Sequence, residues 1–210
     1  MLDLAAGTER LVHADGALLV WDKPSGLLSV PAKPPGPADC LEARARAAFP
    51  EALLVHRLDR DTSGVMVFAR TRLAQRHLGW QFERRQVGKT YIARVAGEVA
   101  GEAGRIDMPL ICDWPNRPKQ MVCRLRGKPS VTDWRVTARE PGATRLELRP
   151  LTGRSHQLRV HLAEIGHPIL GDPFYGDAEA ADRMQLHAAE IGFRHPEGGA
   201  WVEFVAAVPF

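Results

Sequence analysis

A short polar segment, His56-Arg57-Leu58-Asp59, places one acid and two potential cations within four residues. The chain continues through Thr62-Ser63-Gly64 into an apolar run at 65–69, which is typical of a buried strand. Loops at the mouths of strands often carry functional side chains, so Asp59 is a candidate for a functional carboxylate. Taken alone, the spacing favours a simpler interpretation, in which Asp59 is a turn or capping residue and Arg57 is its surface partner.

A second polar segment, GRSHQLRVH at 153–161, has an unusual number of polar residues for the start of a helix. Helical spacing puts Ser155 and Arg159 on one face and Gln157 and His161 on another. The exposed N–H groups at the helix start, together with the arginine beside them, could hold a phosphate group. Taken alone, the segment is more typical of an exposed basic amphipathic helix.

Two further segments contain residue types that occur in active sites. Lys89-Thr90-Tyr91 opens a strand, where a tyrosine more often packs in the sheet than takes part in a reaction. The loop DPFYG at 172–176 is rich in turn residues and has two aromatic side chains, for which local packing is the simpler explanation. Each of the four segments is therefore ambiguous by itself.

Several other classes of site lack their sequence signals. The chain has no GxxxxGKS/T phosphate loop, no GxGxxG dinucleotide fingerprint and no HExxH motif. The eight histidines are scattered, and the three cysteines lack the close pairing of metal ligands. Ser63-Gly64 lacks the leading glycine of a nucleophile elbow. We therefore expect no cofactor and no metal.

The composition is that of an ordinary globular protein, with 210 residues and 23.2 kDa, 45% apolar and 25% charged residues. This length is sufficient for a real hydrophobic core. No apolar run approaches the roughly 20 residues of a membrane span. The first ten residues do not resemble a signal peptide, and the three cysteines are then most simply reduced thiols, so we expect a cytoplasmic protein.

The net charge of +3 conceals an uneven distribution. Residues 56–94 hold nine Lys or Arg against three Asp or Glu, and residues 105–159 hold twelve against five, so these segments carry +6 and +7. The rest of the chain carries −10. A basic middle between acidic ends suggests a phosphate-rich ligand on one face. Charge alone does not distinguish that ligand from a solvated basic surface.

Hydrophobic periodicity and turn signals predict an α+β protein with many strands and three helices. Helix caps are expected at Asp39, Thr71 and Ser155, and the third helix is expected to end at Ile165. Strands are expected at 17–21, 65–69, 90–95, 119–125, 132–137, 144–148, 188–193 and 201–205. Because strands and helices do not alternate strictly, we expect a mixed, mostly antiparallel sheet flanked by helices, in one domain over 1–210.

Four segments, taken together in this order and at this spacing, resemble the RluA family of pseudouridine synthases. They are HRLDRDTSG at 56–64, KTYIARVAG at 89–97, GRSHQLRVH at 153–161 and HPILGDPFYG at 167–176. VWDKPSGLLSV at 20–30 matches the family's N-terminal strand and loop. PLICDWPNRPKQ at 109–120 is similar to family members that modify both tRNA and rRNA. The resemblance covers nearly the whole chain and implies a pseudouridine synthase catalytic domain without an appended S4-type RNA-binding module.

The resemblance implies the isomerisation of uridine, in which the glycosidic bond breaks, the base rotates and C5 rejoins C1′ without a cofactor. Asp59 matches the family's essential carboxylate, which acts either as a nucleophile on the sugar or as a base at C2′. Arg159 matches the buried arginine that pairs with this carboxylate and orients it. Tyr91 matches the active-site tyrosine, which can stack on the uracil or assist the loss of the C5 proton. Arg57 matches the residue that fills the space left by the flipped base.

The resemblance also implies an RNA partner, namely a tRNA anticodon stem–loop, a 23S rRNA hairpin or both. The residues expected to contact RNA are His56, Arg57, Arg60, Lys89, Arg117, Lys119 and Arg154. We expect a monomer with no DNA and no membrane partner. One alternative is a pseudouridine synthase for another rRNA uridine. The other is a non-catalytic RNA-binding or chaperone domain, which explains the charge distribution but not the acidic Asp59 within a basic segment.

Overall fold

The computed structural model describes residues 9–210 of the chain. The chain divides into two compact units. Unit 1 contains the described residues up to Gly88 together with Ala188–Val208, and unit 2 contains Lys89–His187 together with Pro209–Phe210. Each unit has a hydrophobic core of its own. The expectation that the chain begins without a signal peptide falls mainly on residues 1–8, outside the described residues.

The described residues form three α-helices and a larger number of strands. In chain order the elements are β1 (Arg10–Ala14), β2 (Leu18–Lys23), α1 (Leu41–Ala48), β3 (Leu53–Leu54), β4 (Ser63–Ala69), α2 (Arg72–Glu83), β5 (Gly88–Ala96), β6 (Ala103–Asp107), β7 (Leu110–Cys112), β8 (Gln120–Val122), β9 (Val131–Glu140), β10 (Ala143–Pro150), α3 (Gln157–Glu164), β11 (Leu186–Arg194) and β12 (Trp201–Val205). Short 3₁₀ turns occupy Trp114–Asn116 and Ala178–Ala180.

In unit 1, β2 lies between β1 and β4, and both pairings are antiparallel. β3 also pairs with β4, and β12 pairs with β11. All seven residues of β4 are buried, and α2 packs Ala74 and Leu78 into the same core. The apolar run at 65–69 thus forms the strand that its sequence predicts, and this strand is fully buried.

Gly64 is required at the point where the polar segment 56–62 leads into β4. Its φ angle is +112°, and a Cβ there would lie 2.2 Å from the carbonyl oxygen of Ala188. Real Cβ atoms do not approach backbone so closely, so only glycine fits at this position. The start of β4 is therefore fixed in unit 1.

In unit 2, β5, β10, β9 and β6 are neighbours in this order, and each pairing is antiparallel. β7 and β8 form a separate two-stranded hairpin. The core contains Leu146 and Leu148 of β10, with Leu158 and Leu162 of α3 packed against them. The helix that carries the GRSHQLRVH segment is thus part of the core of unit 2.

The predicted caps are right for one helix and wrong for two. Thr71 caps α2, because its hydroxyl accepts a hydrogen bond from the N–H of Ala74 at 3.1 Å. The cap of α1 is Cys40, whose sulfur accepts from the N–H of Ala43 at 3.3 Å. The predicted cap Asp39 is instead paired with Arg44, at 2.7 Å between Oδ2 and Nη2.

The cap predicted for α3 at Ser155 is also wrong, because the helix begins after His156. His156 adopts a left-handed conformation with φ of 52° and makes no side-chain capping bond. The chain before it is held by Gln157, whose side-chain oxygen accepts from the N–H of Arg154 at 3.0 Å. The side chain of Gln157, the first residue of α3, therefore supports the start of the helix in place of the predicted serine cap.

The strand predictions succeed where the sequence is apolar. The strand predicted at 119–125 shortens to β8, because the chain turns where the N–H of Gly127 donates to the carbonyl of Cys123 at 2.8 Å. Strands β1, β3, β6 and β7 were not predicted. The α+β class and the mixed, mostly antiparallel sheet with helices are confirmed. None of the described helices is long and apolar enough to cross a membrane.

Candidate active site

The loop that carries Asp59 in unit 1 is held by the segment that follows β2. Lys23 is fully buried, and its ammonium donates to the carbonyls of Pro24 at 2.9 Å, Leu27 at 2.7 Å and Arg60 at 2.9 Å. An ammonium has three protons, so these carbonyls supply one acceptor for each. The residue after Asp59 is thereby tied to the core of unit 1.

Two serines of the same segment fix the loop on either side of Asp59. The Ser29 hydroxyl donates to the carbonyl of Leu58 at 2.6 Å and accepts from its N–H at 3.0 Å. The Ser25 hydroxyl donates to the carbonyl of Asp61 at 2.8 Å. Backbone bonds of this kind satisfy polar groups that would otherwise be costly to bury. The Asp59 backbone is therefore rigidly placed, while its side chain is half-buried.

The residues next to Asp59 differ in their exposure. The Arg57 side chain is exposed, and Arg60 pairs with Asp61 at 3.0 Å on the surface. The His56 ring stacks on Phe82 with 4.8 Å between centroids, and its Nε2 accepts from the N–H of Val67 at 3.0 Å. His56 thus packs against α2 and β4 in unit 1, and its predicted contact with RNA stays a prediction.

In unit 2, Arg159 forms a bidentate ion pair with Asp172. Its Nε donates to Oδ2 and its Nη2 to Oδ1, each at 2.7 Å, and the side chains are 2% and 0% exposed. Burial would raise the pKa of Asp172, but the Arg159 guanidinium and the N–H groups of Phe174 and Tyr175 hold it below its usual value. Asp172 is therefore ionised, and the pair is a charged one.

The rings of the DPFYG loop pack around this ion pair. The Arg159 guanidinium carbon lies 5.1 Å from the centroid of Phe174 and 5.2 Å from that of Tyr175. The Tyr175 hydroxyl lies 2.7 Å from Nδ1 of His156 and accepts from the N–H of Gln120, also at 2.7 Å. The loop is therefore connected both to the start of α3 and to β8.

The other face of α3 carries a buried polar network. The Gln157 amide donates to the hydroxyl of Thr132 and to the carbonyl of Val131, both at 3.0 Å. His161 lies 3.0 Å from the Thr132 hydroxyl through Nδ1 and 3.0 Å from the carbonyl of Met108 through Nε2. Burial lowers the pKa of His161, so the ring is neutral near neutral pH.

The segment GRSHQLRVH is therefore not the exposed amphipathic helix that it suggests when taken alone. Every residue from Gln157 to Leu162 is buried. Gln157 and His161 share one face, as the helical spacing predicts, and bind β9 through the polar network. Arg159 points elsewhere and meets Asp172. The polarity of this helix serves internal contacts, and the exposed residues of the motif are those before it, such as Arg154.

The remaining predicted residues of unit 2 lie on β5 and near the start of α3. Tyr91 is half-buried, lies opposite Leu148 of the neighbouring strand β10 and packs against the core of unit 2. Lys89 donates to the carbonyl of Thr152 at 3.4 Å, and Arg154 donates to that of Pro129 at 3.3 Å. The structure thus gives Lys89 and Arg154 main-chain partners within unit 2.

The segment 110–128, here termed the basic hairpin, contains β7, β8 and the turn that follows. Lys128 closes it, since its backbone exchanges two hydrogen bonds with Leu110, at 2.8 and 3.0 Å. At its tip Trp114 is 65% exposed, and the Arg117 guanidinium lies 4.2 Å from the Trp114 ring. Such a stacked Arg–Trp pair offers a flat surface on which a nucleic-acid base can stack.

The basic hairpin also concentrates positive charge. Elsewhere in the basic segments many arginines are paired with acids, as in Arg60–Asp61, Arg70–Glu51, Arg94–Glu140, Arg105–Asp133, Arg135–Glu147, Arg139–Glu102 and Arg149–Glu147. Within residues 9–210 no such pair involves Arg117, Lys119, Arg124, Arg126 or Lys128. The basic hairpin therefore gathers five cationic side chains that no acidic side chain pairs with among the described residues.

Two buried charges were missed as site residues by sequence reasoning. Lys23 and Asp172 both lie in segments that resemble the family, but neither type of side chain is expected to be fully buried. A usable signal exists for each, since Lys23 lies two residues after the apolar run at 17–21 and Asp172 follows a glycine at a turn. Local packing explains Phe174 and Tyr175 in the DPFYG loop, as the simpler interpretation has it, but not Asp172.

The two units offer different chemical groups. Unit 1 presents a carboxylate, Asp59, on a backbone with little freedom. Unit 2 provides a buried guanidinium, Arg159, and a half-buried phenol, Tyr91. In residues 9–210 no group of three or more His, Cys, Asp or Glu residues is arranged to hold a metal ion. Carboxylate, guanidinium and phenol suit acid–base or covalent chemistry at a carbon centre.

The comparison with protein families gives a match to the RNA pseudouridylate synthase model over residues 17–164. The match spans the boundary between the units at Gly88, so both units contribute to one family domain. Among solved structures, the human RNA pseudouridylate synthase domain containing 1 has a TM-score of 0.80 and 28% identity, and covers 97% of this chain and 84% of its own.

Curated relatives are more similar. The dual-specificity RNA pseudouridine synthase RluA of Yersinia pestis is 51% identical over 204 residues, which cover 95% of this chain and 99% of the relative. The protein of the same name from Escherichia coli strain K12 is 47% identical over 204 residues, with 95% and 93% covered. The similarity therefore extends over nearly the full length of both chains.

Proposed function

The chain belongs to the RNA pseudouridylate synthase family and is an RNA pseudouridine synthase, and on this premise we propose that it acts on two structured RNAs. The first is a tRNA anticodon stem–loop, at a uridine of the position 32 type, and the second is a 23S rRNA hairpin, at a uridine of the position 746 type. Relatives named as dual-specificity enzymes, similar over 95% of the chain, support this pair of substrates.

Asp59 is proposed as the essential carboxylate. The reaction breaks the bond between C1′ and N1 of the target uridine and forms one between C1′ and C5. A proton leaves C5 and N1 gains one, so atoms and electrons balance without an oxidant, a reductant or a cofactor. The carboxylate either attacks C1′ or removes a proton from C2′ and later receives it back. Both routes need an ionised carboxylate that is accessible to the sugar and fixed in place.

The observation that carries this assignment is the rigidity of the backbone around a half-exposed carboxylate. Five hydrogen bonds hold residues 58–61 to the segment 23–29. Holding a reacting group in place avoids much of the entropy cost of bringing it to the substrate. The Asp59 side chain is only partly buried, so a nucleotide can reach it.

Arg159 and Tyr91 are proposed to act on the same uridine as Asp59. Asp172 accepts hydrogen bonds from Nε and Nη2 of Arg159, and we propose that the guanidinium held in this way supports the reaction of the essential carboxylate. Tyr91 stacks on the uracil and assists the loss of the C5 proton after the base has rejoined the sugar. These roles follow the family resemblance, and the burial of Arg159 and the partial exposure of Tyr91 are compatible with them.

RNA is proposed to be bound through exposed basic and aromatic side chains. Arg57 is exposed and fills the stack from which the uridine is flipped, because a planar guanidinium can take the place of a base. In the basic hairpin, Trp114 and Arg117 stack on a loop base, and Lys119 contacts phosphate. Arg60, Lys89 and Arg154 are further candidates for backbone contacts. The enzyme is proposed to work as a monomer in the cytoplasm.

The test uses the purified protein and two transcripts labelled with tritium at C5 of uridine, one an anticodon stem–loop and one the 23S rRNA hairpin. Release of tritium from both supports the proposal. Base-level mapping of pseudouridine in a strain that lacks the gene is the companion measurement. Loss of pseudouridine at a different rRNA uridine, with no release from either transcript, would replace the proposed substrates by that site.

A further inference from the structure

We infer that Asp172 is a positioning residue for Arg159, and that it acts on the reaction only by fixing the direction of the guanidinium. The inference rests on the proposed function, in which Arg159 takes part in the reaction at the target uridine. Asp172 is 0% exposed, so it cannot touch an RNA base or sugar itself. Any influence on uridine must pass through the groups that it holds.

The two carboxylate oxygens of Asp172 accept hydrogen bonds from different donors. Oδ2 accepts from Nε of Arg159 at 2.7 Å. Oδ1 accepts from Nη2 of Arg159 at 2.7 Å and from the N–H groups of Phe174 and Tyr175 at 2.9 and 3.2 Å. The main chain therefore fixes the carboxylate, and the fixed carboxylate fixes the plane of the guanidinium.

Stability alone gives little reason to keep such a pair. Two charges that are 2% and 0% exposed have lost nearly all of their hydration, and an apolar pair of similar volume is often as stable or more stable. What an apolar pair cannot supply is a guanidinium held in one orientation by two parallel hydrogen bonds. The rings of Phe174 and Tyr175, about 5 Å from the guanidinium carbon, further limit its movement.

The sharpest variant is Asp172→Asn. The amide oxygen can keep the three contacts of Oδ1, which include both N–H groups of the DPFYG loop. The amide nitrogen then replaces Oδ2 and meets Nε of Arg159 donor against donor. The loop thus retains its turn, while the guanidinium loses one of its two hydrogen bonds with Asp172.

The experiment measures single-turnover pseudouridine formation and equilibrium RNA binding on the labelled anticodon stem–loop. We expect Asp172→Asn to lower the rate constant about tenfold to a hundredfold while the Kd for RNA stays at the wild-type value. In an Arg159→Ala background the same change should have no further effect, because no guanidinium remains to be positioned. Asp133→Asn is the matched control, since it disrupts a bidentate pair with Arg105 on the surface of the same unit and should leave the rate unchanged.

A wild-type rate for Asp172→Asn would overturn the inference, and so would a loss that multiplies that of Arg159→Ala. If Arg159→Ala itself reacted at the wild-type rate, the role of Arg159 in the proposed function would fail, which is a separate result. Should Asp172→Asn not fold, Asp172→Glu takes its place, because it keeps the charge and displaces the carboxylate by one methylene. A slower reaction at unchanged RNA affinity then supports the inference, and an unchanged rate overturns it.

Discussion

The Ser29 hydroxyl and the backbone of Leu58 exchange two hydrogen bonds, one of 2.6 Å to the carbonyl and one of 3.0 Å from the N–H. Ser29 follows β2 by several residues, and Leu58 immediately precedes Asp59. Ser29, 29 positions before Leu58 in the chain, is thus one of the residues that fix the backbone beside the Asp59 carboxylate. This contact fixes the backbone of an irregular loop next to the carboxylate that we propose as the reacting group.

Asp59→Asn should abolish pseudouridine formation, because an amide can neither attack C1′ nor serve as an effective base. The rate should fall by more than about a hundredfold, with RNA affinity retained. Tritium release and a binding titration measure the two effects. Asp61→Asn is the control, since Asp61 lies two residues away and pairs with Arg60 on the surface. Turnover near wild type for Asp59→Asn would contradict the assignment.

Arg57→Ala should slow the reaction without destabilising the protein. Its side chain is exposed, so the melting temperature should not change. If the guanidinium replaces one base in the stack, its loss costs about 1–3 kcal/mol, or roughly fivefold to 150-fold in the single-turnover rate. Arg72→Ala, also exposed and on α2, should react like wild type. An unaffected rate for Arg57→Ala on the anticodon stem–loop would exclude the base-replacement role.

Trp114→Ala should weaken RNA binding more than any other change at the tip of the basic hairpin. Loss of one base-stacking surface is worth about 1–3 kcal/mol. Trp114→Phe should recover part of the affinity, because it keeps an aromatic face for the base and for Arg117. Leu125 is 95% exposed on the same hairpin but has no ring, so Leu125→Ala serves as the control. Equal affinities for the alanine variant and wild type would remove Trp114 from the RNA interface.

Salt should weaken RNA binding, because each neutralised phosphate releases a counterion. On single-stranded RNA the log–log slope is about −0.7 for each phosphate contacted. Lys119→Gln should therefore make the slope shallower by about that amount. Arg135→Gln removes a cation that is already paired with Glu147 and should leave the slope unchanged. A salt-independent Kd for wild type would contradict the electrostatic interpretation of the basic hairpin.

The apolar pattern predicted much of the fold because burial follows hydrophobicity. The run at 65–69 became a fully buried strand, and Thr71 capped α2 as its type and position indicated. The pattern failed at α3, where Gln157, Arg159 and His161 are buried although each is polar. Their partners on β9 and in the DPFYG loop are distant in sequence, and hydropathy carries no information about such contacts.

The sequence identified candidate residues of the site, but not the hydrogen bonds and ion pairs that hold them. The resemblance named Asp59, Tyr91 and Arg159, and their roles remain predictions. It gave no partner for Arg159 within unit 2 and no function for Lys23, because a bidentate contact or a triply bonded ammonium depends on distances that spacing cannot supply. The charge count likewise treated all arginines as equal, whereas several are paired with acids from outside the basic segments, such as Glu51 and Glu102.

Acid should destabilise unit 2 through His161. Burial lowers the pKa of this histidine in the folded state, so the unfolded chain binds its proton first as the pH falls. The stabilising contribution is therefore complete above about pH 6.5 and declines below it, by at most about 1.4 kcal/mol for each pH unit. Urea unfolding at several pH values between 5 and 8 measures this dependence.

His161→Gln should flatten that dependence, since glutamine does not titrate. His195 in unit 1 provides a control, because its pKa is raised and its effect on stability therefore has the opposite pH dependence. Burial lowers its pKa, but the carbonyl of Glu197 and the carboxylate of Asp15 outweigh this and raise it. Its stabilising contribution is therefore present below the unfolded pKa and lost at higher pH. A steeper acid dependence in His161→Gln than in wild type would refute the role given to His161.

Because Lys23 is buried, its chemical labelling would report local opening of unit 1. Amine-reactive reagents attack accessible, neutral amino groups, and this ammonium is enclosed and bonded to three carbonyls. The lysines at 33, 89, 119 and 128 are at least partly exposed and open to labelling in the native protein. Mass added at position 23 would therefore record the moments when the segment after β2 releases the Asp59 loop.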